Sequence, residues 1–238
     1  MFLETVAAKL HLLLAALLAA APAPTAGAAG PTLCTLQDHR IAESSGLAVS
    51  HDILWTHNDS GDTARFFALD RHCRTLATYN VMNNVTNETA TDWEDMARGG
   101  GSLWFGDIGD NAATRSQVQV IRVPEPTVTR GEHGLRATVY LFRYEDGPHD
   151  AETLLVHPRT GQLFVVSKSY DGSATVYAAP LHPSATTLNT FTKVAQLQTH
   201  VTGTAGGPLG ALGQLSLTAG DINATADRIV LRTYTDAY

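Results

Sequence analysis

Carboxylates recur in this chain at positions where they could bind a ligand together. Glu43, Glu94, Glu152 and Asp221 each open a short apolar run, and a second apolar run follows 10, 9, 11 and 8 residues later. The steps from acid to acid are 51, 58 and 69 residues. Acids carried at one position of a repeat converge if the repeat closes around an axis, and Asp92, Asp95 and Asp150 stand beside them. Converging carboxylates repel one another, and a hard cation such as Ca²⁺ relieves that repulsion by taking six to eight oxygen ligands. The same acids can instead cap neighbouring strands or accept backbone N–H groups. Repetition itself favours that structural alternative, because a functional site needs one copy.

Two Asp-rich loops add to the acidic set. Asn58-Asp-Ser-Gly-Asp62 and Asp107-Ile-Gly-Asp-Asn111 place short oxygen side chains around glycine, so Asp59, Asp62, Asp107 and Asp110 are further metal-ligand candidates. Neither loop has the terminal Glu of a twelve-residue calcium loop, and Asx turns at strand ends explain the same composition. Lys168 and Arg232 follow two of the second runs. They either form ion pairs with the repeated acids or meet an anionic ligand, and Asn111 is a third polar candidate for ligand contact. Nucleophilic catalysis has little support: there is no Gly-x-Ser-x-Gly elbow, no HExxH spacing and no glycine-rich phosphate loop. His157, before Pro158, reads as a solvated turn residue.

The elements that must position these residues are strands. Val, Ile, Thr, Tyr and Phe cluster in short runs that Gly, Asp, Asn and Pro punctuate, and helix signals are nearly absent after the N-terminus. An all-β repeat near fifty residues is the mark of propeller blades, four antiparallel strands each, with the first strand nearest the axis. The expected fold is therefore an all-β propeller with blades starting near residues 43, 94, 152 and 221. The fourth unit holds only two strands before Tyr238, so the chain reads as about three and a half blades of a six-bladed ring, stopping early at its C-terminus. Residues 31–41 are candidates for an outer strand that completes the last blade. Residues 80–91 and 202–213 read as loose segments, the second an inter-blade insertion or a poorly ordered loop. Trp55, Trp93, Trp104 and Phe105 read as packing between blades. Gly99-Gly100-Gly101 reads as a hairpin turn.

The N-terminus reads as an export signal over residues 1–28, leaving a propeller domain over 29–238. Lys9 ends a polar start, Leu10–Ala21 is apolar apart from His11, and Ala26-Gly-Ala28 offers small residues for cleavage. The apolar run falls short of the roughly 20 residues of a membrane span, so none is expected once the signal is gone. The expected location is secreted or on the exterior of the cell envelope. A net charge of −7 without a basic stripe excludes nucleic acid as a partner. The two cysteines, Cys34 and Cys73, form an even count in an exported chain and are expected to pair. The chain-entropy model assigns such a loop about 4 kcal/mol.

Several segments together resemble a family of secreted bacterial β-propellers common in actinobacteria. They are Trp55-Thr-His-Asn-Asp-Ser-Gly-Asp62, Asp92-Trp-Glu-Asp-Met-Ala97, Gly106-Asp-Ile-Gly-Asp-Asn111, Arg122-Val-Pro-Glu-Pro126, Asp150-Ala-Glu-Thr-Leu-Leu-Val-His-Pro158 and Leu231-Arg-Thr-Tyr-Thr-Asp-Ala-Tyr238. The resemblance implies a propeller of more blades than this chain holds, and it brings no established activity or catalytic residues. In blade pattern alone the chain is also similar to esterase-like and phytase-like exported propellers. Two functions follow as expectations. The first is a scaffold that binds a small molecule or protein on its channel face. The alternative is a calcium-dependent phosphoesterase or esterase-like hydrolase, with Glu43, Glu94 and Glu152 on Ca²⁺ and Lys168 or Arg232 on the substrate.

Overall fold

Short β-branched and aromatic runs broken by Gly, Asn and Pro cannot bury their apolar faces singly, and here they do so as stacked antiparallel sheets. The computed structural model describes residues 32–82, 91–205 and 207–238. The expected export signal therefore lies outside the described residues. The first blade is β1 (Ser44–Ser50), β2 (Ile53–Asn58), β3 (Arg65–Leu69) and β4 (Thr75–Met82). The second is β5 (Trp93–Gly99), β6 (Ser102–Asp107), β7 (Val118–Pro124) and β9 (Thr138–Tyr144). The third is β10 (Ala151–Val156), β11 (Leu163–Ser167), β12 (Ser173–Ala178) and β13 (Asn189–Gln198). A fourth unit consists of β14 (Ala219–Ile222) and β15 (Ile229–Arg232), with Tyr238 returning to bond Leu231 in both directions. This is a β-propeller arc of about three and a half blades.

Within each blade neighbouring strands pair antiparallel in chain order. The β5–β6 connection has two residues, Gly100 and Gly101, both at positive φ (59° and 68°), closing the Gly99–Ser102 pair. Two left-handed residues match the twist of a two-residue hairpin, and glycine adopts that backbone without strain. The innermost strands pack together at the axis: β1 and β10 flank β5, while β14 packs on β10 and reaches β5.

Apolar clusters fill the spaces between blades. Trp55, Phe66, Tyr79, Trp93 and Phe105 lie between the first and second blades. Trp104, Phe142, Tyr177 and Phe191 lie between the second and third, and Leu155, Phe164, Leu217 and Leu231 lie between the third and fourth. The tryptophans therefore pack blade against blade, as their sequence context implied.

Four segments take paths that spacing alone does not show. The chain between β7 and the strand completing its blade detours to the first blade, where β8 (Gly131–Arg136) pairs parallel to β4 as a fifth strand. Residues 32–41 do not complete the fourth blade. They cross the first blade instead, where Ile41 packs on Phe67 and Leu69 and Cys34 is bonded to Cys73. Residues 80–82 continue β4, while 83–90 lie outside the described residues. The described part of 202–213 is tied down: Gln214 Oε1 accepts from the Thr202 and Gly203 amides, and Asp236 accepts from the Thr202 and Thr204 hydroxyls. It leads into a single-turn helix, α1 (Ala211–Leu215). No helix among the described residues is long and apolar enough to cross a membrane.

Candidate functional site

Hairpin register fixes which residues are true counterparts from blade to blade. In each of the first three blades a bulge interrupts pairing at the start of the inner strand: between Ser44 and Leu47, between Trp93 and Asp95, and between Ala151 and Thr153. Just ahead of it, one backbone bond ties the inner strand to the chain after the second strand. Asp59 N donates to Glu43 O at 2.9 Å, Gly109 N to Asp92 O at 3.2 Å, and Lys168 N to Asp150 O at 2.9 Å. Glu43 is therefore the counterpart of Asp92 and Asp150, while Ser45 is the counterpart of Glu94 and Glu152. In the fourth unit Asp221 pairs with Val230, one step from the turn-closing pair Ile222–Ile229. That is the place Leu155 takes beside Val156–Leu163 in the third blade. The bulges break the constant offset that spacing alone suggested.

The consequence is a partial convergence. Asp59, Asp92 and Glu94 each bring a carboxylate oxygen to within 4.8 Å of the others. Asp59 comes from the end of β2, Asp92 from the lead into β5, and Glu94 from the bulge of β5, so the group bridges two blades. Gly109 roofs it, and a Cβ there would collide with Glu94 Oε1 and Asp92 Oδ2. Glu94 is 3% exposed, and its carboxylate accepts no hydrogen bond among the described residues. Burial, and then the charges of Glu152, Asp59, Asp92 and Asp150, push it well above the usual carboxylate range. Asp92 rises as well, through burial and then Asp59 and Asp150. A carboxylate removed from water without a partner is costly, so such groups neutralise or take a cation.

Glu152, one blade further on, touches Lys168, and the two side chains are 8% and 4% exposed. Burial raises Glu152 while the ammonium opposes it. On Lys168 burial works against the charge, yet the bond to Glu152 prevails and holds the ammonium above its ordinary value. At this contact, with both ends removed from water, the charged pair is the form that satisfies both groups. The rings of Tyr170 and Tyr234 lie 5.6 and 5.8 Å from Lys168 Nζ, within cation–π range.

The remaining candidates stand elsewhere. Glu43 and Asp221 are exposed and outside the group. Asp62 accepts from Asn58 Nδ2 at 2.6 Å and Arg65 Nε at 2.8 Å, holding the loop after β2. Asp107 receives Arg115 Nη2 at 2.7 Å and the amides of Thr91 and Asp92 at 3.2 Å each. Asp110 accepts from the Arg115 amide at 2.7 Å, and Asn111 is exposed. Arg232 donates to Thr218 Oγ1 at 3.0 Å and to the Ser45 carbonyl at 3.3 Å, and forms no ion pair among the described residues. His157 is buried rather than solvated; its Nδ1 accepts the Thr160 amide at 3.1 Å and organises the β10–β11 turn.

Sequence reasoning placed Asp95 near the axis without giving it a role. It is 1% exposed, and its carboxylate accepts three backbone amides: Met96 at 2.9 Å, Leu154 at 3.0 Å and Gly220 at 3.2 Å. Burial pushes it up to about 7, with those amides and Arg232 pulling the other way. One side chain thus fastens the inner strands of three blades. An acid directly after Glu94, inside a strand that is buried on both faces, was the available signal.

No family model matches the chain, and no curated protein does. Among solved structures, a crystal structure of the mitotic checkpoint complex aligns with 83% of this chain and 48% of its own, at 14% identity and a TM-score of 0.41. A structure of KlHsv2 with loop 6CD replaced by a Gly-Ser linker aligns with 79% and 49%, at 9% identity and a TM-score of 0.35. The chain spans about half the length of these solved structures.

Proposed function

We propose that this protein is an exported propeller-type binding scaffold, and that the carboxylate mouth between its first and second blades receives a cation, Ca²⁺ in the first instance. The observation that carries the reading is the trio of half-buried Asp59 and Asp92 with buried Glu94, whose oxygens lie within 4.8 Å of one another. Oxygen ligands from separate segments suit a hard, high-coordination cation, with water and backbone carbonyls completing the shell. Export is supported by the N-terminal pattern and by the Cys34–Cys73 bond, which persists in an oxidising compartment. Binding is preferred to hydrolysis because the cations near the mouth are occupied: Lys168 holds Glu152, Arg115 holds Asp107 and the Gly109 carbonyl, and Arg232 holds Thr218 and the Ser45 carbonyl. The test is a calcium titration followed by thermal melting, with an esterase and phosphatase panel on the same sample. A saturable rise in melting temperature without turnover supports the scaffold. Calcium-dependent turnover would replace it with the hydrolase, and no response to calcium would remove the cation.

A further inference from the structure

We infer that Lys168 is the specificity-determining residue of this mouth: a built-in cation that withholds Glu152 from the ligand set and so limits the site to Asp59, Asp92 and Glu94. The inference rests on the cation reading above and extends it to how the site is limited.

Two more carboxylates border the trio: Asp150 accepts the amide of Asp110, next to the roofing Gly109, and Glu152 stands on β10, which packs on β5. A divalent ion balances two negative charges, so five acids are far more than one ion needs. The chain supplies two cations of its own: Arg115 is held by Asp107 and the Gly109 carbonyl, and Lys168 stands on the Glu152 side. Lys168 enters from just after β11, its backbone amide bonded to Asp150 O and its ammonium in contact with Glu152. Its side chain is 4% exposed and its ammonium is paired with Glu152 rather than directed to solvent. The rings of Tyr170 and Tyr234 flank it. Glu94, by contrast, is buried, aimed at Asp59 and Asp92, and without a donor among the described residues. The mouth therefore has a filled half and an unfilled half. An incoming ion meets the unfilled half, and the paired ammonium beside it disfavours a second ion.

The experiment is calorimetric Ca²⁺ titration of the full chain and three variants. Lys168→Met releases Glu152 and removes a positive charge, and the expected result is Ca²⁺ binding tighter by about tenfold or more, as added ligand charge does at calcium sites. Adding Glu152→Gln to Lys168→Met should return the affinity to near the parent value. Lys168→Arg keeps the charge and should change little. Glu152→Gln alone, which leaves the ammonium unpaired beside Glu94, should weaken binding several-fold, and it serves if Lys168→Met fails to fold. Unchanged affinity in both Lys168→Met and Glu152→Gln overturns the inference while leaving the cation reading intact. A parent that binds no Ca²⁺, with a Lys168→Met variant that gains Glu152-dependent binding, overturns the cation reading and supports the inference. Absence of binding in every form overturns both.

Discussion

At the scale of single residues, the mouth and the axis are governed by acids kept from water. Asp95 has an ordinary value of 3.8 and is raised to about 7 in the folded protein, and Glu94 is raised further, to about 10, by burial first and then by the charges around it. A carboxyl whose folded value is raised favours folding fully below its unfolded value, and that contribution is lost as pH climbs through the folded value. The melting temperature measured without divalent ions should therefore fall between about pH 4 and pH 10, and saturating Ca²⁺ should flatten the fall. Glu94→Gln should raise stability at neutral pH in calcium-free buffer and abolish the calcium response, and paired melting curves check both halves. Asp95→Ala should behave oppositely: three backbone amides lose their acceptor, and urea denaturation should show a loss of about 3 kcal/mol.

At the scale of elements, the sequence reveals strands well and register poorly. Alternating β-branched and aromatic residues marked β2, β6, β7, β9 and β11, and Gly100-Gly101 marked its turn. The strand β8, Gly131-Glu-His-Gly-Leu-Arg136, has two glycines and little apolar alternation. It is a strand because β4 offers it an edge, which is a tertiary fact. Bulges at the inner-strand starts also escaped notice, since one extra residue leaves no mark in composition. They are why Glu43 counted as a partner of Glu94 when its counterpart is Asp92. The cysteine pair was legible from count and compartment, and it pins residues 32–41 to the first blade beside Phe67, which Arg40 and Arg65 flank at 5.5 and 5.4 Å. Replacing both cysteines by serine should cost about 2–4 kcal/mol. Limited proteolysis should then cut first within 32–41.

At the scale of the whole molecule, the arc presents apolar surface where a further sheet would pack. Leu47 and Val49, on the inner strand of the first blade, are 57% and 56% exposed, and Val230 on the fourth unit is 47% exposed. In the third blade the counterparts Thr153 and Leu155 are buried, and repeat stability is largely a nearest-neighbour property. Patches of this kind drive association. Size-exclusion chromatography of the 238-residue chain should show concentration-dependent self-association, reduced by Leu47→Lys with Val49→Lys at little change in melting temperature. A monomer at every concentration would show that these side chains are tolerated in water.

The parallel pairing of β8 with β4 has a consequence for synthesis. A chain grows from its N-terminus, and domains begin to fold as they emerge. When Met82 has left the ribosome, the strand that will cover its edge has not been made, and the whole of β5 to β7 must appear first. The first blade therefore waits with an open flank until residues 131–136 arrive. Slowing translation between β4 and β8 should prolong that wait and increase capture of the nascent chain by chaperones, whereas the same pause placed after β8 should not.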